Sequence, residues 1–291
     1  MANQTPQTET ARLLVTCPDR AGIVATIAQL IYQQGYNILS SDQHATDPYG
    51  GGQFFMRMVF DLTGKLAHMP ELESAISNVA QTLQLRWQLN YASQTKRMAI
   101  LVSRYDHCLL DLLWRWQAGE LNVTIPMVIS NHPDLRDKVE AFGLPYHHLP
   151  VTAETKPEQE AKILAMLADK VDFIVLARYM QILSANFVSH HPSRIINIHH
   201  SFLPAFIGAN PFAMAYKRGV KMIGATAHYV TNDLDDGPII SQGVVQVTHR
   251  DSPQDMMRSS RDVERNVLAQ AVRWHIEDRI IAHENKTIIF T

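Results

Sequence analysis

The hydrophobic rhythm of the chain changes near residue 95. Before that point short runs and one-sided stripes alternate. Arg12 to Cys17 is a compact apolar run stopped by Pro18 and Asp19, and Ile23, Val24, Ile27, Leu30 and Ile31 then recur at helical spacing until Gly35. Asn37 to His44 reads as a second strand, and Asp47 to Gly52 as a turn. A third strand, Gln53 to Leu62, places Phe54, Met56, Met58, Phe60 and Leu62 on one face and Arg57 and Asp61 on the other. After Pro70 comes a helical stripe of Leu72, Ala75, Ile76, Val79, Ala80 and Leu83, and Arg86 to Tyr91 closes a βαββαβ unit. This order predicts two helices on one face of a small antiparallel sheet, a ferredoxin-like arrangement.

Residues 92–97 are polar and aperiodic, which places a linker between a first domain of residues 1–91 and a second of 98–291. In the second domain Met98 to Ser103, Thr124 to Ser130, Phe173 to Ala177 and Arg194 to His199 are continuous apolar runs. Amphipathic stretches at about 107–117, 133–142 and 157–169 separate them. Apolar strands alternating with helices indicate a doubly wound, mostly parallel α/β sheet covered on both faces. Thr226 to Thr231 and Ile239 to Val247 read as late strands joined by an acidic turn, and a long helix is expected from about Ser252 to His283.

Composition narrows the functional classes. The 291 residues carry 26 Lys plus Arg against 28 Asp plus Glu, a net charge of −2, so no strong basic field favours nucleic acid or an anionic membrane. The chain is 46% hydrophobic, too apolar for disorder. No stretch approaches the ~18 apolar residues of a membrane span, and Met1 to Thr10 has no signal-peptide core. With only Cys17 and Cys108, no disulfide framework is expected and a cytoplasmic location is the simple reading.

The segment Ile196-Asn197-Ile198-His199-His200-Ser201-Phe202-Leu203-Pro204 holds the densest candidate chemistry. On a strand Asn197 and His199 share one face, at the carboxyl end where open α/β sheets bind ligands. An amide beside an imidazole suits carbonyl polarisation and proton transfer. The alternative is a polar strand end with a satisfied histidine. Further on, Asp233, Asp235 and Asp236 crowd one turn; either the turn is simply solvated, or one carboxylate points inward to hold His199. The pairs His147-His148, His190-His191 and His199-His200 are poor chelates because strand neighbours face opposite ways, and no Cys-x-x-Cys or His-Glu-x-x-His is present. No metal is assigned. No Gly-x-Gly-x-x-Gly follows a strand, which argues against a dinucleotide. Cys108 reads as a packing residue.

Taken together, Asn197-x-His199-x-Ser201-x-Leu203-Pro204, Gly208, and His228 followed by Leu234-Asp235-x-Gly237-Pro238 resemble the 10-formyltetrahydrofolate-dependent formyltransferase family. The resemblance implies catalytic roles for Asn197, His199 and Asp235. Leu176 to Ser184 is similar to the family's folate-pocket segment, which implies folate contacts from Arg178, Gln181, Ile182 and Leu183, with His228 and Asp236 from the later motif. In the first domain Cys17 to Val24 with Gly35 to Ile38 resembles an ACT regulatory domain. That likeness implies an amino-acid effector near Asp19, Arg20, Gly22 and Ile23, facing Asn37 and Ile38, with the bland reading that Gly22 serves a tight turn and Asp19 caps the helix. ACT domains pair edge to edge, and the apolar face of the third strand needs a cover, so a homo-oligomer, dimer or tetramer, is expected.

The resemblance leaves a choice of acceptor. Where phosphate-binding members of the family carry a Gly- and Ser-containing loop after the domain's first strand, this chain has Ser103-Arg104-Tyr105-Asp106-His107-Cys108. A loop without glycine admits a phosphate less readily to its amides, and Asp106 would repel it, although Arg104 would attract it. The transfer-RNA-directed members carry a further C-terminal domain, whereas this chain stops at Thr291 without a basic excess. An ACT domain ahead of a formyltransferase-like domain is similar to the family's hydrolytic branch. It implies hydrolysis of 10-formyltetrahydrofolate to formate and tetrahydrofolate without a cofactor, feeding formate to purine biosynthesis and balancing the one-carbon pool. Formyl transfer to an amine, or a silent folate- or amino-acid-sensing protein, are the alternatives.

Overall fold

A computed structural model describes residues 9–47, 51–64, 68–205 and 211–291. Gly208 of the sequence motif, residues 48–50 of the Asp47 to Gly52 turn and most of the N-terminal segment lie outside the described residues. The chain divides into two compact units: residues 1–95 with 278–281 and 288–291, and residues 96–277 with 282–287.

In the first unit β1 (Thr10–Pro18), α1 (Ile23–Gln33), β2 (Asn37–Ala45), β3 (Gln53–Asp61), α2 (Met69–Leu83) and β4 (Arg86–Tyr91) follow the expected order. The sheet runs β2-β3-β1-β4 and is antiparallel throughout. Leu13, Val15, Met56, Met58 and Phe60 pack with Ile23, Ile27, Leu72 and Ile76 in one core. The apolar face of β3 is thus covered inside the unit and does not call for a partner. On the other face of β3 Arg57 is only 6% exposed. Its Nε donates to the Asp278 carbonyl at 2.9 Å. The Asp278 carboxylate accepts from Arg12 Nη1 at 3.0 Å and Asn90 Nδ2 at 2.8 Å. Truncating Asp278 removes an acceptor shared by both donors, so Asp278→Ala is expected to lower unfolding stability by about 1–3 kcal/mol, the usual cost of losing hydrogen bonds to a buried charged group. Urea unfolding of the two proteins checks this, and a difference within experimental error would refute it.

The second unit contains β5 (Lys96–Val102), α3 (His107–Gln117), β6 (Val123–Ser130), α4 (Arg136–Glu140), β7 (Tyr146–His148), α5 (Lys156–Leu167), β8 (Phe173–Leu176), α6 (Ala185–Ser189), β9 (Ile195–His199), α7 (Pro211–Arg218), β10 (Met222–Tyr229), β11 (Ile239–Gln246) and α8 (Pro253–Ile276). Its sheet has the order β11-β10-β9-β8-β5-β6-β7. β7, β6, β5, β8 and β9 run parallel, β10 is antiparallel to β9, and β11 is antiparallel to β10. Ala99, Leu101, Ile174 and Leu176 face α5 and α6, while Met98, Ile100, Phe173 and Val175 on the alternate positions are also fully buried. Both faces are covered, as continuous apolar strands require.

Two boundaries differ from the sequence expectation. β5 begins at Lys96, inside the segment read as linker, because Arg97 is clamped by Asp172 at 2.8 Å. The last helix starts where expected, with a Ser252–Asp255 capping box and Pro253 in its first turn, but ends at Ile276 rather than near His283. Asp278 takes a left-handed conformation with φ 53°, and a hairpin of β12 (Ile280–His283) and β13 (Lys286–Ile289) follows.

Candidate active site

The parallel strands deliver their carboxyl ends side by side, so the segments after β5, β8 and β9 are neighbours. β9 also pairs antiparallel with β10, setting Asn197 opposite His228 and His199 opposite Thr226. Cross-strand partners share a face, so one amide and two imidazoles meet there. Asn197 Nδ2 lies 3.2 Å from His228 Nε2, and His228 Nδ1 lies 2.9 Å from the Tyr229 carbonyl. A carbonyl only accepts, so Nδ1 carries a proton, and Nε2 faces both the Asn197 amide and the Asp235 carboxylate. The second Asn197 N–H is left for another acceptor.

Asp235 comes from the acidic turn between β10 and β11. The turn is pulled against β10: Tyr229 N donates to the Pro238 carbonyl at 3.0 Å, and a Cβ on Gly237 would stand 1.8 Å from the Tyr229 oxygen. Only glycine permits that approach. Asp235 itself is left-handed, φ 56°, which aspartate tolerates better than most residues. Of the three carboxylates, Asp233 and Asp236 are exposed and Asp235 turns inward. Its Oδ2 lies 3.2 Å from His199 Nδ1, and Oδ1 lies 3.7 Å from His228 Nε2. Burial alone would raise this carboxyl, but hydrogen bonds and charge from His199 and His228 outweigh it and hold Asp235 well below the usual carboxylate range.

His199 is 6% exposed. Its Nδ1 is engaged by Asp235, while Nε2 is buried without a hydrogen-bond partner among the described residues. A satisfied structural histidine would not leave that nitrogen bare. The arrangement offers an orienting carboxylate, a proton-carrying ring and an amide donor, the set required to attack an acyl carbon and stabilise its oxygen.

The remaining sequence candidates fall into three groups. After β8, Gln181 and Leu183 are half-buried, and Met180 and Ile182 expose 52% and 60% of their surface, an apolar patch beside the catalytic edge. Ser184 caps α6 and bonds Glu160, which fixes the segment. Arg178 instead turns its guanidinium inward, with Nε 3.5 Å from Glu264 on α8. Glu264 also meets His107 at 2.9 Å and Ser260 at 2.9 Å. Glu264, His107 and His200 were not singled out as sites from sequence. The signal available was a glutamate, with Ser260 one turn earlier, on the buried stripe of an amphipathic helix.

His107, Cys108 and Glu264 bring ligand-type atoms within 4.8 Å of one another. The Arg178 guanidinium already supplies positive charge to that carboxylate, and burial raises the Cys108 thiol well above its ordinary value, so the donor set does not suit a cation. Asp106 pairs with Lys138, which offsets the repulsion expected of it from sequence.

In the first unit Asp19, Arg20, Gly22 and Ile23 line a cavity of about 520 Å³ with Gln43 and His44. The helix cap is Gly22, φ 92°, rather than Asp19. Asn37 and Ile38 do not face this cavity. β2 is antiparallel to β3, with Asn37 paired to Asp61 and Ala45 to Phe54, so the cavity end of β2 is its carboxyl end.

The description of formyl transferases matches residues 96–272, and that of ACT domains matches residues 11–77. A formyltetrahydrofolate deformylase of Bacillus subtilis is 53% identical over 280 residues, 96% of this chain and 93% of that protein. The crystal structure of a formyltetrahydrofolate deformylase from Pseudomonas syringae aligns with a TM-score of 0.95 and 42% identity, covering 99% of this chain and 96% of that one. A glycinamide ribonucleotide transformylase from Symbiobacterium toebii aligns with a TM-score of 0.66 and 28% identity, over 70% of this chain and 98% of that one.

Proposed function

The chain belongs to the formyltetrahydrofolate deformylase family, and on that premise we propose that it hydrolyses 10-formyltetrahydrofolate to formate and tetrahydrofolate, using Asn197, His199 and Asp235. The observation that carries the residue assignment is the bare, buried Nε2 of His199 backed by Asp235 on Nδ1. Water held against the Asp235–His199 pair attacks the formyl carbon and gives one proton to the Asp235 carboxylate, which returns it to His199 once that ring has protonated N10; the second water proton leaves as formic acid ionises to formate. The developing oxyanion is met by the free N–H of Asn197 and by protonated His199, each donor of this kind contributing about 2.7–4 kcal/mol to the transition state. The C–N10 bond then breaks as His199 passes a proton to N10. No cofactor enters these steps.

The folate lies along Gln181, Ile182 and Leu183, whose exposed apolar surface suits a flat ring system, with Asp236 at the rim. In the first unit the Asp19 to Ile23 cavity takes an amino-acid effector, its carboxylate at the start of α1. β2 is an edge strand with a largely exposed surface, so pairing of two copies there gives a homo-oligomer. Among the described residues no helix is long and apolar enough to cross a membrane, and the cytoplasm is the proposed location, with formate passing to purine biosynthesis and the one-carbon pool.

The test is incubation of the purified protein with 10-formyltetrahydrofolate alone. Formate and tetrahydrofolate appearing in equal amounts support the reading. Folate binding without either product would refute it.

A further inference from the structure

We propose that the buried Arg178–Glu264 pair, braced by His107 and Tyr105, makes water rather than an amine the acceptor of the formyl group. The proposal rests on the catalytic reading of His199 and Asp235 given above. Formyl transfer and hydrolysis differ only in what attacks. In both, a bond forms to the formyl carbon, the C–N10 bond breaks, and N10 gains a proton; the attacking atom is a water oxygen in one case and an amine nitrogen, which gives up a proton, in the other. The Symbiobacterium transformylase shares this fold, so the sheet itself does not choose the acceptor. Side chains around the reacting centre must.

The pair is built into the wall next to the catalytic histidine. Arg178 follows β8, the strand adjacent to β9, and its backbone is left-handed with φ 63°, a conformation costly for a non-glycine residue. The segment is fastened to the one after β5: Ser103 N donates to the Arg178 carbonyl at 3.2 Å, and Met180 N donates to Ser103 Oγ at 2.9 Å. Arg178 is 8% exposed, its guanidinium carbon lies 5.1 Å from the Tyr105 ring centroid, and Nε has no hydrogen bond although Glu264 is 3.5 Å away. Glu264 is 2% exposed and is fixed by His107 and Ser260.

His200 joins this cluster to the catalytic one. Its ring centroid is 5.2 Å from that of His199, and it feels Arg178 and Glu264 on one side and His199 and Asp235 on the other. Burial, then Arg178 and His199, push it down to about 4, so His200 stays neutral at pH 7. His200, Arg178 and Glu264 therefore fill the wall beside His199. An amine carries a substituent on its attacking nitrogen and meets lack of room there, whereas water carries none.

The test is a partition experiment with 10-formyltetrahydrofolate and glycinamide, a small primary amine, reading formate against N-formylglycinamide by mass spectrometry. Wild-type protein is expected to give formate with only a trace of formylated amine, which sets the reference ratio. Arg178→Gly suits the backbone conformation and removes both bulk and charge; it is expected to raise the amine-to-water ratio by about tenfold or more, the scale on which pocket contacts discriminate substrates. Arg178→Met keeps the bulk and removes the charge, and is expected to give a smaller rise. A purely structural role would lower both products together and leave the ratio fixed. Active variants with the wild-type ratio would overturn this proposal alone. Variants that melt cooperatively but no longer bind folate would also overturn it, by making Arg178 a substrate ligand. A wild-type protein that releases no formate would overturn the catalytic reading and this proposal with it.

Discussion

His199→Ala is expected to lower kcat by about 10²–10⁴-fold, the usual worth of a positioned acid–base group, while folate affinity stays close to that of the wild type. The split between kcat and binding follows from where the ring sits. His199 is the last residue of the interior strand β9, its Nδ1 is held by Asp235 while Nε2 is bare, and the strand around it is largely buried. The proposed folate contacts come from the segment after β8. Removing the imidazole thus takes away the proton carrier and one oxyanion donor without touching the surface that holds the ring system. Rapid-mix formate assays and equilibrium folate titration of the same preparation measure the two quantities. Wild-type turnover in the variant would remove His199 from the mechanism, and a loss confined to binding would make it a substrate ligand.

Asp235→Asn is expected to cost a similar factor, for a different reason. The side chain keeps its shape, so the turn and its Gly237 contact survive, but the carboxylate charge against His199 Nδ1 is gone. The pH behaviour separates the two variants. In the folded protein Asp235 is held below its unfolded value of about 3.9. Its contribution to stability is therefore complete above that value and is lost only as pH falls through the lower, folded value. Wild-type stability should fall on acidification partly through this group, and the Asp235→Asn curve should be flatter between pH 5 and pH 2 in denaturant melts. By the same sign, an acid limb in the wild-type rate profile above about pH 4 does not report protonation of Asp235. An Asp235→Asn protein with full turnover, or with an unchanged acid limb of stability, would contradict the assignment.

The elements that carried clear periodicity in the sequence are those the structure contains. β1, α1, β3, α2, the parallel apolar strands and the start of α8 were legible because their cores repeat at 2 or 3.6 residues. α6 and α7 span only five and eight residues, and β7 only three, too short for a period to register. The burial of Arg57 was not legible locally, since the carbonyl that accepts from it lies more than 200 residues away, at Asp278. At the site, the shared face of Asn197 and His199 was readable from their spacing. The inward turn of Asp235 was not, since it depends on a close approach at Gly237 that local sequence does not encode. Placing Asn37 and Ile38 beside Asp19 failed for want of register: both ends of β2 look alike until its pairing with β3 is known. Arg178 was matched to a folate contact by motif, and only the three-dimensional position of Glu264 on a helix 86 residues later redirects its charge.

The proposed catalytic side chains come from β9 and from the turn that follows β10, two strands that run in opposite directions, and their pairing is locked by Thr226, which accepts from Leu203 N, donates to the Ser201 carbonyl, and takes a third bond from Gln242. A slip of a single residue between β9 and β10 would turn one strand's functional groups to the opposite face. No molecule in a shifted register would have a weakened site; it would have none. Heterogeneous preparations of this protein should accordingly show a reduced number of competent molecules with unaltered pH dependence and substrate preference, so that a single-turnover formate burst counts correctly registered chains.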